Sequence, residues 1–203
     1  MSAPHIEVIL GTGREGRFSE KVGAWLINRL ENRSDLQVEL VDLRDYPLPF
    51  YDQSAPPAYG HRDYSPSVAR WASKVEQADG YIFVTSEYNH GYPALLKNAL
   101  DHVFPELNRK PAAYVGYGNV GGARAIEQLR LVSVELELAP LRHAVHILPD
   151  VMRGVRGASD PTDVELFASL DDRVDKLATD LSWWARALKT ARKEHAVRFS
   201  RTP

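Results

Sequence analysis

Apolar residues along this chain follow two rhythms. Short runs of four or five alternate with longer stretches in which apolar positions recur every three or four residues, the pattern of strands interleaved with helices. The first run, Ile6-Glu7-Val8-Ile9-Leu10, stops at Gly11, and a helix is predicted from Ser19 to Leu30 with Val22, Trp25, Leu26 and Leu30 on one face. A second strand, Val38 to Val41, ends near Asp42 and leads into an irregular stretch, Tyr46 to Tyr64, rich in proline and aromatics. Ser65-Pro66 then opens a helix, with serine as N-cap and proline at the first helical position. Tyr81 to Val84 predicts the third strand, Pro93 opens a helix through Ala99 and Val103, and Ala112 to Val115 predicts the fourth strand. A helix from about Ala123 to Glu137, a weak strand from Ala144 to Leu148, a Gly/Pro/Asp-rich loop and a final helix carrying Val174, Leu177, Leu181 and Leu188 complete the reading.

Five strands with interleaved helices imply an α/β three-layer sandwich of flavodoxin-like type, with a parallel sheet of order 2-1-3-4-5. The 203 residues suit one domain across the whole chain, with a frayed tail from about Arg192. A net charge of -2 with scattered basic residues argues against nucleic acid or an anionic membrane as partner. There is no cysteine, which removes thiolate catalysis, disulfides and Cys-based metal sites and fits a cytoplasmic setting. Met1 to Glu7 has no charged-then-apolar signal pattern, and no stretch is apolar for the roughly 18 residues a membrane helix needs.

The first loop reads Gly11-Thr12-Gly13-Arg14-Glu15-Gly16-Arg17-Phe18-Ser19. Gly11, Gly13 and Gly16 match the dinucleotide fingerprint, and Asp42 stands where a ribose-binding acid is expected. Thr12, Arg14, Arg17 and Ser19 supply more hydroxyls and positive charge than a pyrophosphate turn needs, and the helix begins after the glycines. That points to a seat for a dianionic phosphate monoester at a helix start. A solvated glycine turn with surface arginines is the plainer alternative.

The third strand runs into Ser86-Glu87-Tyr88-Asn89-His90-Gly91-Tyr92-Pro93, at the carboxyl edge where open α/β sheets bind ligands. The fourth runs into Tyr117-Gly118-Asn119-Val120-Gly121-Gly122, whose glycines permit close backbone approach at a helix N-terminus. Each loop alone could be a tight strand-to-helix turn; three equipped loops at successive strand ends point to a ligand. The seven histidines form no metal motif, and neither G-x-S-x-G nor a Walker loop occurs. Trp183-Trp184 suits packing better than cofactor stacking. Apolar Leu131, Val134 and Leu136 beside Ile126, Leu129, Val132 and Leu138 give the fourth helix a second apolar side, which predicts a homodimer that buries part of the third and fourth helices; shelter by the C-terminal segment is the plainer alternative.

From about Ile6 to Val145 these motifs resemble the NADPH-dependent FMN reductase family, whose relatives include quinone, chromate and azo reductases. The resemblance implies FMN as cofactor and NADPH or NADH as electron donor, with hydride passing from nicotinamide to flavin and no side chain as acid or base. It implies phosphate contacts at Thr12, Arg14, Arg17, Phe18 and Ser19. It places isoalloxazine contacts at Glu87, Tyr88, Asn89 and His90, and at Gly118, Gly121 and Gly122. Relatives often carry proline before Glu-Tyr-Asn; this chain has Ser86. The implied partner is a small electron acceptor or a flavin-dependent monooxygenase, and the resemblance also implies dimers, sometimes paired into tetramers. An FMN-retaining quinone, azo or chromate reductase and a non-enzymatic electron carrier are the alternatives.

Overall fold

The computed structural model describes residues 2–59, 65–157 and 164–200. Five strands, β1 (His5–Leu10), β2 (Gln37–Asp42), β3 (Gly80–Ser86), β4 (Pro111–Tyr117) and β5 (Ala139–Ile147), form one sheet in the order β2-β1-β3-β4-β5. Every neighbouring pair is parallel. The helices between them are α1 (Ser19–Leu30), α2 (Pro66–Gln77), α3 (Ala94–Asp101), α4 (Ala123–Glu135), α5 (Pro149–Gly157) and α6 (Asp171–Ser200).

Both faces of the sheet are covered, so its central strands are apolar throughout, as parallel strands must be. One core packs Val8, Leu10, Val84 and Val115 beneath α1, α5 and α6, with Trp25 and Phe167 stacked at 4.6 Å. The other packs Ile9, Phe83 and Tyr114 beneath α2, α3 and α4, with Trp71 donating to the Ala99 carbonyl. Glu7 in β1 and Thr85 and Ser86 at the end of β3 are buried polar exceptions, and of these Glu7 alone is ionisable.

Three departures from the sequence pattern have clear causes. β5 begins at Ala139 rather than Ala144, because Pro140, Arg142 and His143 hide an edge strand that needs no second partner; its register shifts between Ala112 and Tyr114. The Gly/Pro/Asp-rich stretch after it contains α5, which starts at Pro149 and buries Val155; positions 158–163 lie outside the described residues. Trp183 and Trp184 sit off the packing face of α6, 64% and 41% exposed and edge-to-face with each other.

The helix α6 continues past Arg192 to Ser200, and Arg192 is tied to Asp79 at 3.0 Å and to the Arg109 carbonyl at 2.7 Å. Much of the irregular stretch after β2 is fastened to α3. Asn98 donates to the Pro49 carbonyl and accepts from the Tyr51 amide, while His102 Nε2 donates to Pro49 as well. Positions 60–64 of that stretch lie outside the described residues. Among the described residues no helix is long and apolar enough to cross a membrane.

Candidate functional site

The strands β1, β3 and β4 are neighbours, so the loops that leave their carboxyl ends meet at one edge of the sheet. The first loop climbs over Gly11, whose amide still holds the Val84 carbonyl at 2.9 Å. It then turns at Gly16, with φ of 61°, into α1. The hydroxyls of Thr12 and Ser19 share a buried hydrogen bond of 2.7 Å, which seats the loop against the first turn of the helix. The leading amides of α1 have no intrahelical acceptor, so this end carries donors and a positive field toward the loop.

The two loop arginines part company. Arg14 is exposed, its guanidinium 5.9 Å from the centre of the Tyr88 ring. The Arg17 side chain is buried and bidentate to Asp42, and it also donates to the Thr12 carbonyl. Burial pushes the Asp42 carboxyl up, but hydrogen bonds from Arg17 and Arg44 outweigh it and hold the pKa below the usual aspartate range. Asp42 is thus engaged by two arginines, which removes the main support for a dinucleotide ribose at that position. Phe18 faces the core against Tyr117 and Phe167, so its side chain anchors the helix start. Arg156 of α5 lies over that ring at 5.5 Å.

The second loop is a two-residue hairpin. Tyr88 and Gly91 exchange backbone hydrogen bonds of 2.8 and 2.9 Å, and the residues between them, Asn89 and His90, have φ of 48° and 70°. Two positive φ values define a type I′ turn, in which Asn is favourable and His is not. The strain is held in place by Gln128 of α4, which donates to the His90 carbonyl at 2.8 Å. Tyr88, Asn89 and His90 are all exposed. Glu87 points the other way: its carboxylate accepts from the Arg124 amide at 3.2 Å and pairs with the Arg124 guanidinium, capping α4 with negative charge.

The glycines of the third loop have a steric duty. A Cβ on Gly121 would sit 2.7 Å from the His146 Cβ, and one on Gly122 would sit 2.7 Å from the Tyr117 amide. Both adopt left-handed φ, 66° and 70°, so they let α4 start hard against β4 and β5. Gly118, with φ of 149°, would bring a Cβ within 3.3 Å of Glu87.

Two hydroxyls escaped the motif reading. Ser86 pairs with Tyr117 across β3 and β4, each two residues beyond Val84 and Val115. Thr12 lies two residues beyond Leu10, the partner of Val84. Strand alternation therefore sends Ser86 and Tyr117 to the same side of the edge, and Thr12 reaches the Tyr117 phenol from the loop beyond β1. Burial raises the Tyr117 phenol, and the nearby hydroxyls of Thr12, Ser19 and Ser86 oppose that rise. The Ser86 oxygen is buried yet makes no hydrogen bond. The signal available in the sequence was the shared offset from the last apolar residue of each strand.

This donor set suits a phosphate monoester: a helix start, clustered hydroxyls with one unpartnered, and an exposed arginine. The hairpin beside it offers the free edges of two amides and the flat face of Tyr88 to a polar aromatic ring. Such an edge, on a flavodoxin-like sheet, defines a flavin-binding class of α/β protein. The family model of the NADPH-dependent FMN reductases matches residues 4–150, and the chain belongs to that family.

Among relatives, an NAD(P)H-dependent FMN reductase of Schizosaccharomyces pombe is 38% identical over 161 residues, covering 78% of this chain and 80% of its own. An NAD(P)H-dependent FMN reductase of Saccharomyces cerevisiae is 36% identical, covering 63% of this chain and 72% of its own. An FMN-dependent NADPH-azoreductase of Staphylococcus saprophyticus is 28% identical, covering 85% and 84%. The solved flavoenzyme NAD(P)H:(acceptor) oxidoreductase of Paracoccus denitrificans superposes with a TM-score of 0.68 at 24% identity, over 91% of this chain and 98% of that one. That likeness is one of fold.

Proposed function

We propose that this chain takes electrons from NADPH or NADH and delivers them to FMN held at the carboxyl edge of β1, β3 and β4. The observation that carries the reading is the meeting, at that edge, of the Thr12–Ser19 hydroxyl pair at the start of α1 with the strained Asn89–His90 turn. Bound there, FMN supplies hydride acceptance from nicotinamide, and the protein supplies position and electrostatics. Thr12, Ser19 and Arg14 hold the phosphate. Arg17 and Phe18 support it from behind by fixing the loop and the first turn of α1. The amides of Asn89 and His90 face the polar edge of the ring system, with Tyr88 along its flat side. Glu87, Gly118, Gly121 and Gly122 bring the N-terminus of α4 close, where it favours negative charge on the reduced ring. No side chain is assigned as acid or base.

The test is NADPH oxidation by the purified protein in air as free FMN is titrated in, repeated with NADH. A rate that saturates with FMN supports flavin as the substrate, released reduced to a monooxygenase or similar acceptor. Turnover by tightly held flavin, indifferent to added FMN and rising with a quinone or azo dye, supports the reading that the azoreductase relative favours. Silence with both nicotinamides leaves an electron carrier.

A homodimer, or a tetramer built from it, fits the same reading, in a cytoplasmic setting where NAD(P)H is at hand. On α4, Leu131 and Val134 are 71% and 61% exposed, on the side of the sheet opposite α6, so the last helix does not shelter them. Phe50, on the segment fastened to α3, adds an exposed ring to that side.

A further inference from the structure

Among the described residues of the ligand edge, the Ser86 hydroxyl is buried and left without a hydrogen bond. Its residue is 3% exposed, and its oxygen has no partner. A buried hydroxyl in that state costs free energy, because it gave up water and received nothing in return. Such groups are few in native structures, and a bound ion or polar molecule is one of the ways they are completed.

Around Ser86 the other hydroxyls are engaged. Thr12 and Ser19 are bonded to each other at 2.7 Å, and the Tyr117 phenol lies near both of them and near Ser86. The neighbouring Thr85 hydroxyl is turned back onto the Ser86 carbonyl at 3.1 Å. Ser86 thus has a hydroxyl with no acceptor at hydrogen-bond distance, next to the Tyr117 phenol that Thr12 and Ser19 also approach. An acceptor entering between these groups would need oxygens and negative charge, and a phosphate monoester has both.

We propose that the Ser86 hydroxyl donates to the phosphate of the bound flavin nucleotide and sets this chain's preference for FMN over riboflavin. The assignment rests on the flavin reading of the site. It makes Ser86 a specificity residue that approaches the phosphate from β3, whereas the motif residues approach it from the first loop. In its absence the phosphate keeps the helix start, Thr12, Ser19 and Arg14 but loses its contact from the central strand.

The experiment compares apoprotein of the wild type and Ser86→Ala in equilibrium fluorescence titrations with FMN and with riboflavin. Denaturant unfolding of each apoprotein is followed with and without inorganic phosphate. A hydrogen bond to a charged group predicts a loss of about tenfold or more in FMN affinity with riboflavin unchanged. The Ser86→Ala apoprotein should unfold at the same or a higher denaturant midpoint, since an unpartnered hydroxyl is removed, and inorganic phosphate should protect the wild type more than the variant.

Equal losses for both flavins, or an unchanged FMN affinity, would overturn the proposal, as would a lower midpoint for the variant apoprotein with FMN affinity falling in step. Failure of the wild type to bind FMN sinks the flavin reading instead. The phosphate comparison then still decides Ser86: protection lost with the hydroxyl keeps it as a phosphate donor, and equal protection removes it.

Discussion

Arg17 grips Asp42 with its two terminal guanidinium nitrogens behind the first loop, and the same guanidinium holds the Thr12 carbonyl. One buried charge therefore ties the end of β2 to the loop that leads into α1. Three residues earlier, Arg14 has its guanidinium in solvent beside Tyr88.

The two arginines should separate cleanly in mutagenesis. Arg17→Ala leaves Asp42 partly buried without its main partner and is expected to cost about 3 kcal/mol of stability. Arg14→Ala removes an exposed side chain and should change stability by less than about 0.5 kcal/mol. It should nonetheless weaken FMN binding by about tenfold or more if the guanidinium meets the phosphate. Denaturant midpoints and flavin titrations on both variants check this; an Arg14→Ala protein with wild-type FMN affinity removes Arg14 from the site.

The hairpin at Asn89 and His90 carries strain that its sequence could relieve. Asn-Gly is the preferred type I′ pair, and His90 with φ of 70° stands where glycine would be at ease. His90→Gly is expected to raise stability by up to about 1 kcal/mol while lowering flavin-dependent turnover. Thermal unfolding and NADPH oxidation should therefore move in opposite directions. If both fall together, the turn is a structural element with no bearing on the ring it faces.

Burial drives the Glu7 carboxyl up to about 7, against the pull of Lys74 and Lys110. Lys74 stands 3.8 Å away, and neither carboxyl oxygen has a hydrogen bond. The folded value lies above the ordinary 4.5, so this group's contribution is full below about pH 4.5 and is lost as the pH rises through 7. Glu7→Gln should match the wild type near pH 4 and be more stable by about 2 to 3 kcal/mol at pH 8. Urea unfolding across that range checks the sign; a gap that does not grow with pH places the ionisation elsewhere.

If the outer side of α4 meets a second copy, a charge placed there will part the two. Leu131→Glu and Val134→Lys are each expected to shift the protein toward monomer in sedimentation equilibrium. Secondary structure should be unchanged, because both side chains are mostly solvent-facing in the single chain. A wild-type protein that sediments as a monomer ends the dimer proposal directly.

The periodicity located α1 from Ser19 to Leu30 and α2 from Pro66 because strong apolar stripes and clear start signals coincide there. It missed α5, where Gly154 dilutes a short helix, and shortened β5, where polar residues sit on an edge strand. The three loops were legible because strand ends and glycines mark them. What the motif could not tell was which of two arginines, three residues apart, turns inward, since that depends on Asp42 from another strand. Nor could it show that Gly121 and Gly122 are required by His146 and β4. Ser86 looked like a stray substitution until the pairing of β3 with β4 set it opposite Tyr117.

Asp79, at the head of β3, accepts from the His5 amide at 3.0 Å and pairs with Lys189 and Arg192 near the far end of α6. The latter two contacts span 110 and 113 positions of chain. During synthesis, strands β1 and β3 emerge long before the helix that holds their shared end. The nascent sheet must therefore wait with the Asp79 carboxylate held by the His5 amide alone and one face only partly covered, and a chain released before Lys189 would lack this ionic clasp. The ligand edge, at the carboxyl ends of the strands, is made of early residues, whereas the clasp at the opposite end of β3 is supplied by the last helix.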